Sequence, residues 1–292
     1  MSKTKVAIIG TGNIGVDLLV KILRSDYLEC TLFAGRNLES PGMRYASDIG
    51  VTVSDKSINA IIEDPECCDI VFDATSASVH FKNAPILKNL GKYAIDLTPS
   101  LVGKMCVPVI NGDECLDECN VNMVTCGGQA TVPIAYAIKQ IHNDIKYIEI
   151  VASISSRSAG PGTRANIDEF TQTTKDALSY FTGIPTTKAI ITLNPADPPI
   201  LMHNTIYAVI DNPKIDLIRE SVKNMELKIQ KYVPGYRVSI EPLFESGRVT
   251  TMIEVVGMGD YLPKYSGNLD IITCAAVNIA ERYSIRRQSN EK

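Results

Sequence analysis

The sequence is poor in the features that would commit it to a membrane, to export or to a metal. No apolar run approaches membrane-spanning length: Lys3 and Lys5 precede only Val6-Ala7-Ile8-Ile9, too brief for a signal peptide or a span and suited to a first strand. Charge of one sign is scarce, with a formal net charge of −4 over 292 residues, which excludes a broad nucleic-acid-binding surface. Histidine is rare at three residues. The two cysteines of Glu114-Cys115-Leu116-Asp117-Glu118-Cys119 therefore find no second pair at ligand spacing, and no metal site is expected. Without an export signal the eight cysteines should stay reduced thiols in a cytoplasmic protein, not a disulfide framework. No repeat, low-complexity tract or long linker interrupts the chain.

What is present is a sharp change of pattern near residue 145. Before it, short strands rich in Val, Ile and Phe (Val6–Ile9, Thr31–Ala34, Ile70–Asp73, Tyr93–Asp96, Val121–Thr125) alternate with helical periodicities such as Ile14–Arg24 and Val79–Leu90. That alternation predicts a Rossmann-type parallel sheet with crossover helices. After it come longer segments of high β propensity: Tyr147–Ser155, Ala189–Leu193, Thr205–Ile210, Arg237–Pro242 and Arg248–Val256. Helices near Ile167–Phe181 and Lys214–Lys231 divide them, as in an open, mostly antiparallel sheet covered on one face. The last apolar helix, Leu269–Tyr283, has to pack on something, and the first domain is the natural surface. The expected organisation is an α/β dinucleotide-binding domain over 1–128 completed by the terminal helix 268–292, and an α+β catalytic and dimerisation domain over 129–267.

Three segments carry the chemistry. Gly10-Thr11-Gly12-Asn13-Ile14-Gly15 follows the first strand and opens the first helix. There Gly10 permits a tight turn, Gly12 lets a pyrophosphate reach the backbone and Gly15 lets helix and strand pack closely. The helix N-terminus adds unpaired N–H donors. The acidic residue expected some twenty positions later is missing, and the place reads Ala34-Gly35-Arg36-Asn37. Arg36 can pair with a 2′-phosphate or stack on adenine, a lean toward NADP; it can equally be a solvated loop arginine.

The second segment is Thr125-Cys126-Gly127-Gly128-Gln129-Ala130, read as a strand end, a turn and a helix starting near Ala130. Helix N-terminal amides can lower a thiol pKa at such a turn, and two glycines leave backbone N–H groups free to face a reacting oxygen. The alternative is that Cys126 is simply a small buried hydrophobe. The cofactor turn favours the nucleophile, because a thiolate beside a nicotinamide oxidises aldehydes through a thiohemiacetal. The third segment, Ser158-Ala159-Gly160-Pro161-Gly162-Thr163-Arg164-Ala165-Asn166, is either a further anion or cofactor cradle or a domain-crossing loop. Asn268, just before the terminal helix, reads as an N-cap. His203 reads as a structural histidine rather than a base, and His80 and His142 have no distinguishing partner.

Together these residues resemble the acylating acetaldehyde dehydrogenase family, the enzymes paired with 4-hydroxy-2-oxovalerate aldolase in bacterial meta-cleavage catabolism of aromatic hydrocarbons. The likeness covers nearly the whole chain. It rests on Gly10–Gly15, Ile95-Asp96-Leu97-Thr98-Pro99, Val107-Pro108-Val109, Asn122–Thr131, Ser158–Thr174 and Tyr265–Asp270. The Cys-Gly-Gly-Gln and Ala-Gly-Pro-Gly-Thr-Arg-Ala-Asn-Ile-Asp-Glu-Phe segments are specific. The resemblance implies that Cys126 carries an acyl thioester, that coenzyme A accepts the acyl group, and that Thr11–Ile14, Ser158–Asn166 and Asn268 contact NAD. It implies a second domain like that of glyceraldehyde-3-phosphate dehydrogenase, a small aldehyde as substrate, an aldolase partner and the use of NAD despite Arg36. A homo-oligomer working alone is the other quaternary expectation. The family usually has Arg at the position of His203 and often Asp at that of Asn204, so a base or orienting role of that Asp does not carry over. Two further readings stay open: a phosphorylating semialdehyde dehydrogenase or acyl-phosphate reductase on the same architecture, and a non-catalytic NAD-binding regulatory module.

Overall fold

A computed structural model describes residues 3–160, 163–164 and 167–290. The chain divides into two compact units, one formed by 1–123 and 273–292, the other by 124–272.

The first unit is built on a seven-stranded parallel sheet. Its strands are β1 (Thr4–Ile9), β2 (Leu28–Ala34), β3 (Val53–Ser54), β4 (Ile70–Asp73), β5 (Tyr93–Asp96), β6 (Lys104–Met105) and β7 (Asn120–Asn122), in the order β3-β2-β1-β4-β5-β7-β6. Every pairing is parallel. The connecting helices are α1 (Asn13–Leu23), α2 (Pro41–Asp48), α3 (Asn59–Glu63), α4 (Ala77–Asn89) and α5 (Pro108–Cys115). Strands β1, β4 and β5 are apolar because both faces are covered: Val6 to Ile9 and Ile70 to Phe72 are fully buried. The order reverses between β1 and β4, and that switch point is where ligands of open α/β sheets lodge, outside the strands' carboxyl ends. From Thr273 onward the terminal helix belongs to this unit. It is held by Thr273 Oγ1 donating to Asp17 (2.5 Å), by Ser284 against Thr4 (2.6 Å) and by Tyr283 stacked on Tyr93 (4.1 Å between ring centres).

The second unit carries a five-stranded sheet, β8 (Tyr147–Ser155), β9 (Thr187–Asn194), β10 (Met202–Val209), β11 (Tyr236–Glu245) and β12 (Arg248–Val255), in the order β11-β12-β10-β8-β9. All its pairings are antiparallel except β8 with β9. Burial alternates along β8 and β10, as a period of two requires when only one face is covered. The covered face packs against α6 (Cys126–Ile141), α7 (Ile167–Thr182) and α8 (Ile215–Ile229). The other face presents half-buried Val151, Thr205, Tyr207 and Met252. The terminal helix α9 spans Gly267–Asn290.

Candidate active site

In the first unit the glycine turn is as tight as its sequence demands. Gly10 has φ +107° and a Cβ there would lie 2.4 Å from the Ala74 carbonyl oxygen; a Cβ on Gly15 would lie 1.9 Å from that of Gly10. Gly12 differs, since nothing stands within 4 Å of where its Cβ would be. Gly10 and Gly15 thus serve the fold, while the space beside Gly12 is left to something outside the chain. The first helical bond of α1 runs from Val16 N–H to the Gly12 carbonyl (3.0 Å), so the N–H groups of Asn13, Ile14 and Gly15 precede the intrahelical ladder. No acidic residue sits in that first turn, which leaves the helix's positive end to an anion.

Around the turn lies a cleft of about 330 Å³ lined by Gly10, Thr11, Gly12, Gly35, Arg36, Ser57, Ala74, Thr75, Ser76 and Val79. Thr11 packs on Gly35, where a Cβ would meet its methyl at 2.6 Å. The exposed Arg36 stands on the rim at the end of β2, where NAD-binding folds of this type often place a carboxylate. Free N–H donors and hydroxyls, with no carboxylate among the lining residues, fit a pyrophosphate-containing dinucleotide.

In the second unit Cys126 is the first residue of α6. The strand preceding it ends at Asn122, Val124 takes φ +60°, and Thr125 caps the helix, its Oγ1 accepting the Gly128 N–H at 2.9 Å. Such a cap contributes about 1 kcal/mol. A positive φ at a β-branched residue is costly and is tolerated where surrounding packing enforces it. The helix therefore starts at Cys126 rather than near Ala130, and the two glycines lie inside its first turn. Their reason is packing: a Cβ on Gly127 would sit 2.9 Å from the Phe170 ring, and one on Gly128 2.7 Å from a Val124 methyl. Because Thr125 takes the Gly128 N–H, the donors left to the sulfur and to an oxygen bonded beside it are those of Cys126 and Gly127.

The expected lowering of the thiol pKa is corrected. Burial pushes Cys126 up to about 12, against the smaller downward pull of the Gly127 and Cys126 N–H groups. The resting thiol is protonated at neutral pH. Iodoacetamide should accordingly label Cys126 slowly, the rate rising about tenfold per pH unit through the alkaline range as thiolate accumulates. Peptide mass spectrometry follows it, and a rate already level at neutral pH would show an ionised thiol.

The second unit also holds buried amides without partners. A Cβ on Gly127 would lie 3.6 Å from the Ala152 methyl, and Ala152 pairs across the ladder with Asn204 of β10. Asn204 is fully buried and neither its amide oxygen nor its nitrogen has a hydrogen-bond partner. Asn268 is the same: buried, at the second position of α9, with both amide atoms unpartnered. The cap reading of Asn268 is therefore corrected, the first bond of that helix being Asp270 N–H to the Ser266 carbonyl (3.1 Å). Leaving a buried amide unpaired costs about 1–3 kcal/mol, which makes both side chains candidates for contact with a bound molecule.

Of the glycine-rich segment, Ser158 is buried and donates to the Ser155 carbonyl (2.9 Å), and Ala159 is buried. The Arg164 guanidinium folds back onto the Ser156 and Ala159 carbonyls (2.8 and 3.1 Å) and so braces the loop. Gly160 has open space at its Cβ position, and Thr163 is half-buried. Pro161, Gly162, Ala165 and Asn166 lie outside the described residues. His203 bonds Glu254 (2.7 Å) on the opposite side of β10 from Asn204, away from α6. Among the described residues no group of three potential metal ligands forms, and none of the eight cysteines is in a disulfide.

Comparison with known proteins settles the family. Residues 5–118 match the family described as semialdehyde dehydrogenase, NAD binding domain, and residues 126–263 that described as prokaryotic acetaldehyde dehydrogenase, dimerisation. The chain is 53% identical over 287 residues to an acetaldehyde dehydrogenase of Pectobacterium atrosepticum, covering 98% of this chain and 97% of that one. It is 54% identical over 283 residues to that of Geobacillus stearothermophilus, covering 96% of each. The chain belongs to the acetaldehyde dehydrogenase family. An aspartate semialdehyde dehydrogenase II of Vibrio cholerae, solved with ASA, shares the fold at a TM-score of 0.63 and 14% identity, covering 96% of this chain and 98% of that one. The Rossmann-type sheet followed by a mixed-sheet α+β unit is thus the fold of this wider group, and the first unit is the NAD-binding one.

This family member also contains a buried network with no counterpart in the sequence reading. His80, set aside there, is fully buried on α4 between Asp73 and Asp96, the last residues of β4 and β5. The signal available was the pair of strand-terminal aspartates, each followed two residues on by a threonine, in Asp73-Ala74-Thr75 and Asp96-Leu97-Thr98.

Proposed function

We propose that the chain is an NAD-dependent acetaldehyde dehydrogenase that forms an acyl thioester on Cys126 and transfers the acyl group to coenzyme A. The observation that carries this reading is the thiol at the first residue of α6, with the Cys126 and Gly127 N–H groups beside the sulfur. NAD in the cleft around Gly10–Gly15 supplies the hydride acceptor. The Cys126 sulfur loses its proton and adds to the aldehyde carbonyl, and the two N–H groups hold the oxygen as it gains charge. Hydride departure from that carbon leaves a thioester on Cys126. The thiolate of coenzyme A then adds to the thioester carbonyl and Cys126 leaves as thiolate, giving acyl-coenzyme A, NADH and one proton from aldehyde, NAD and coenzyme A. In the free protein Asn204, being neutral, cannot take the Cys126 proton, and His203 faces the other side of the sheet. Asn268 and the loop from Ser158 to Asn166 complete the cofactor contacts in this proposal.

The test is spectrophotometric NADH formation from acetaldehyde, with coenzyme A, with phosphate in its place and with neither. Turnover that requires coenzyme A is expected; turnover sustained by phosphate would make the chain a phosphorylating dehydrogenase. A parallel series with NADP reports on Arg36. The proposal extends to assembly and place. The half-buried face around Val151, Tyr207 and Met252 suits a second copy of the chain, in line with the dimerisation family matched there. A 4-hydroxy-2-oxovalerate aldolase is the proposed partner, since acetaldehyde is small, reactive and freely diffusing. Co-expression followed by size-exclusion chromatography and an aldehyde trap tests it. Separate elution with full interception of the aldehyde would leave the dehydrogenase alone. A thiol nucleophile and eight cysteines outside any disulfide suit the reducing cytoplasm.

A further inference from the structure

The cleft that receives the dinucleotide has one wall made by the turn between β4 and α4, and that turn is fastened from beneath by a buried carboxylate. Asp73 Oδ1 accepts the Thr75 N–H (3.1 Å) and the Thr75 hydroxyl; Oδ2 accepts from Asn83 (2.9 Å) and from His80 Nδ1 (2.9 Å). Ala74, Thr75, Ser76 and Val79 all line the cleft. The neighbouring strand repeats the device. Asp96 Oδ1 accepts the Thr98 N–H (2.7 Å), and Oδ2 accepts Ser100 (2.5 Å) and Asn122 (2.7 Å). Asp73 and Asp96 are ladder partners, and His80 stands between them with Nε2 3.6 Å from Asp96 and 3.0 Å from the Asn120 side-chain nitrogen.

We propose that Asp73 and His80 are positioning residues for the dinucleotide, and that a proton held on the His80–Asp96 pair is taken up as the pyrophosphate binds. The inference rests on the reading of the cleft as the NAD site. Charge gives the reason. Asp73 and Asp96 are fully buried, and no lysine or arginine bonds to either among the described residues. With His80 neutral the cluster holds two negative charges close to the wall of a site for a doubly negative pyrophosphate. One proton halves that charge, so the protonated cluster favours the anion, and by linkage the anion favours the proton.

The groups facing His80 are those named, from β4, β5, β7 and their following turns: Asp73, Asp96, Asn120 and, through Asp96, Asn122, Thr98 and Ser100. The two carboxylates raise His80 above an ordinary histidine despite its burial, and burial raises Asp96, so both directions favour a proton between them. Asn120 supplies the matching detail. Its amide oxygen is buried without a partner while its nitrogen faces Nε2. Exchange of the two ends would turn that oxygen toward a protonated Nε2, and the orphaned acceptor would gain its donor.

Isothermal titration of NADH into the whole protein tests this, run from about pH 6 to about pH 9 in buffers of differing ionisation enthalpy. NADH is chosen because its pyrophosphate is fully ionised throughout. Proton uptake on binding is expected, with Kd weakening by up to about tenfold per pH unit on the alkaline side. His80→Gln should abolish uptake and flatten the dependence; a turn fastened for structure alone would not move either. Should that variant fold poorly, the His80 ring signal in the NMR spectrum of the wild-type protein, assigned with His142→Gln and His203→Gln, should titrate at higher pH with NADH bound. Absence of proton uptake, equal uptake in His80→Gln, or an unmoved ring titration overturns the proposal while the NAD site stands. Absence of NADH binding at every pH overturns both.

Discussion

Replacing Cys126 with serine should lower acyl transfer to coenzyme A by about three orders of magnitude or more while leaving NAD binding and folding intact. The substitution exchanges one atom at the first residue of α6 and keeps the Thr125 cap and the Gly127 packing on Phe170. Nothing that fixes the helix is touched. What changes is the nucleophile. The Cys126 thiol starts from a pKa pushed up to about 12, so its ionisation already has to be assisted at neutral pH. A serine hydroxyl begins several units higher still and makes a poorer leaving group when coenzyme A attacks the acyl ester. NADH formation with acetaldehyde and coenzyme A measures the loss, and calorimetric NAD binding with a thermal melt supplies the controls. Wild-type turnover in the serine variant would remove Cys126 from the mechanism.

The second large effect separates two glycines three positions apart. Gly12→Val should weaken NAD binding by about tenfold to a hundredfold, or about 1.4–2.8 kcal/mol, with only a small fall in thermal stability. Gly12 has an ordinary φ of −78° and open space at its Cβ position. A valine there meets no protein atom and fills the volume left to the pyrophosphate, at the cost of a poorer helix cap, about 1 kcal/mol. Gly15→Ala should do the reverse. Its methyl would stand 1.9 Å from the Gly10 carbonyl oxygen, so β1 and α1 must part, destabilising the unit by about 1–3 kcal/mol. Calorimetry and melting curves on both variants distinguish the roles. Unchanged affinity in the Gly12 variant would place the nucleotide elsewhere.

Much of the architecture is legible in short stretches of sequence. Ile70–Asp73 and Tyr93–Asp96 read as strands to the residue, because an apolar run closed by a carboxylate has no other use between helical periodicities. Tyr147–Ser155 is equally clear, its length and alternation leaving one pattern. The two-residue strands β3 and β6 are invisible, since a period of two needs more than two residues to show. The start of α6 lies four residues before the sequence suggests, because Gly127-Gly128 reads as a turn; only the positions of Phe170 and Val124 reveal why a helix would accept both. The thiol's electrostatics differ from the sequence expectation for a related reason. Helix amides are visible in sequence, whereas the burial that outweighs them is a property of the assembled unit. The Asp73–His80–Asp96 cluster draws on β4, α4 and β5, with Asn120 and Asn122 from β7, and no local spacing announces such a gathering. The same holds for Asn204 and Asn268, which look like ordinary strand and cap residues until both ends of each amide are found unpartnered.

The resting state of Cys126, the proposed nucleophile, bears on how the enzyme ages. Peroxide attacks thiolates, and the path from sulfenic to sulfinic and sulfonic acid is irreversible beyond its first step. A sulfur held as thiol, only part-exposed at the head of α6, offers little to that chemistry. Of the eight cysteines Cys119 alone is exposed, on the short segment after α5. Oxidative damage should therefore collect first at Cys119, and Cys126, the proposed acyl carrier, is spared until it is called into reaction.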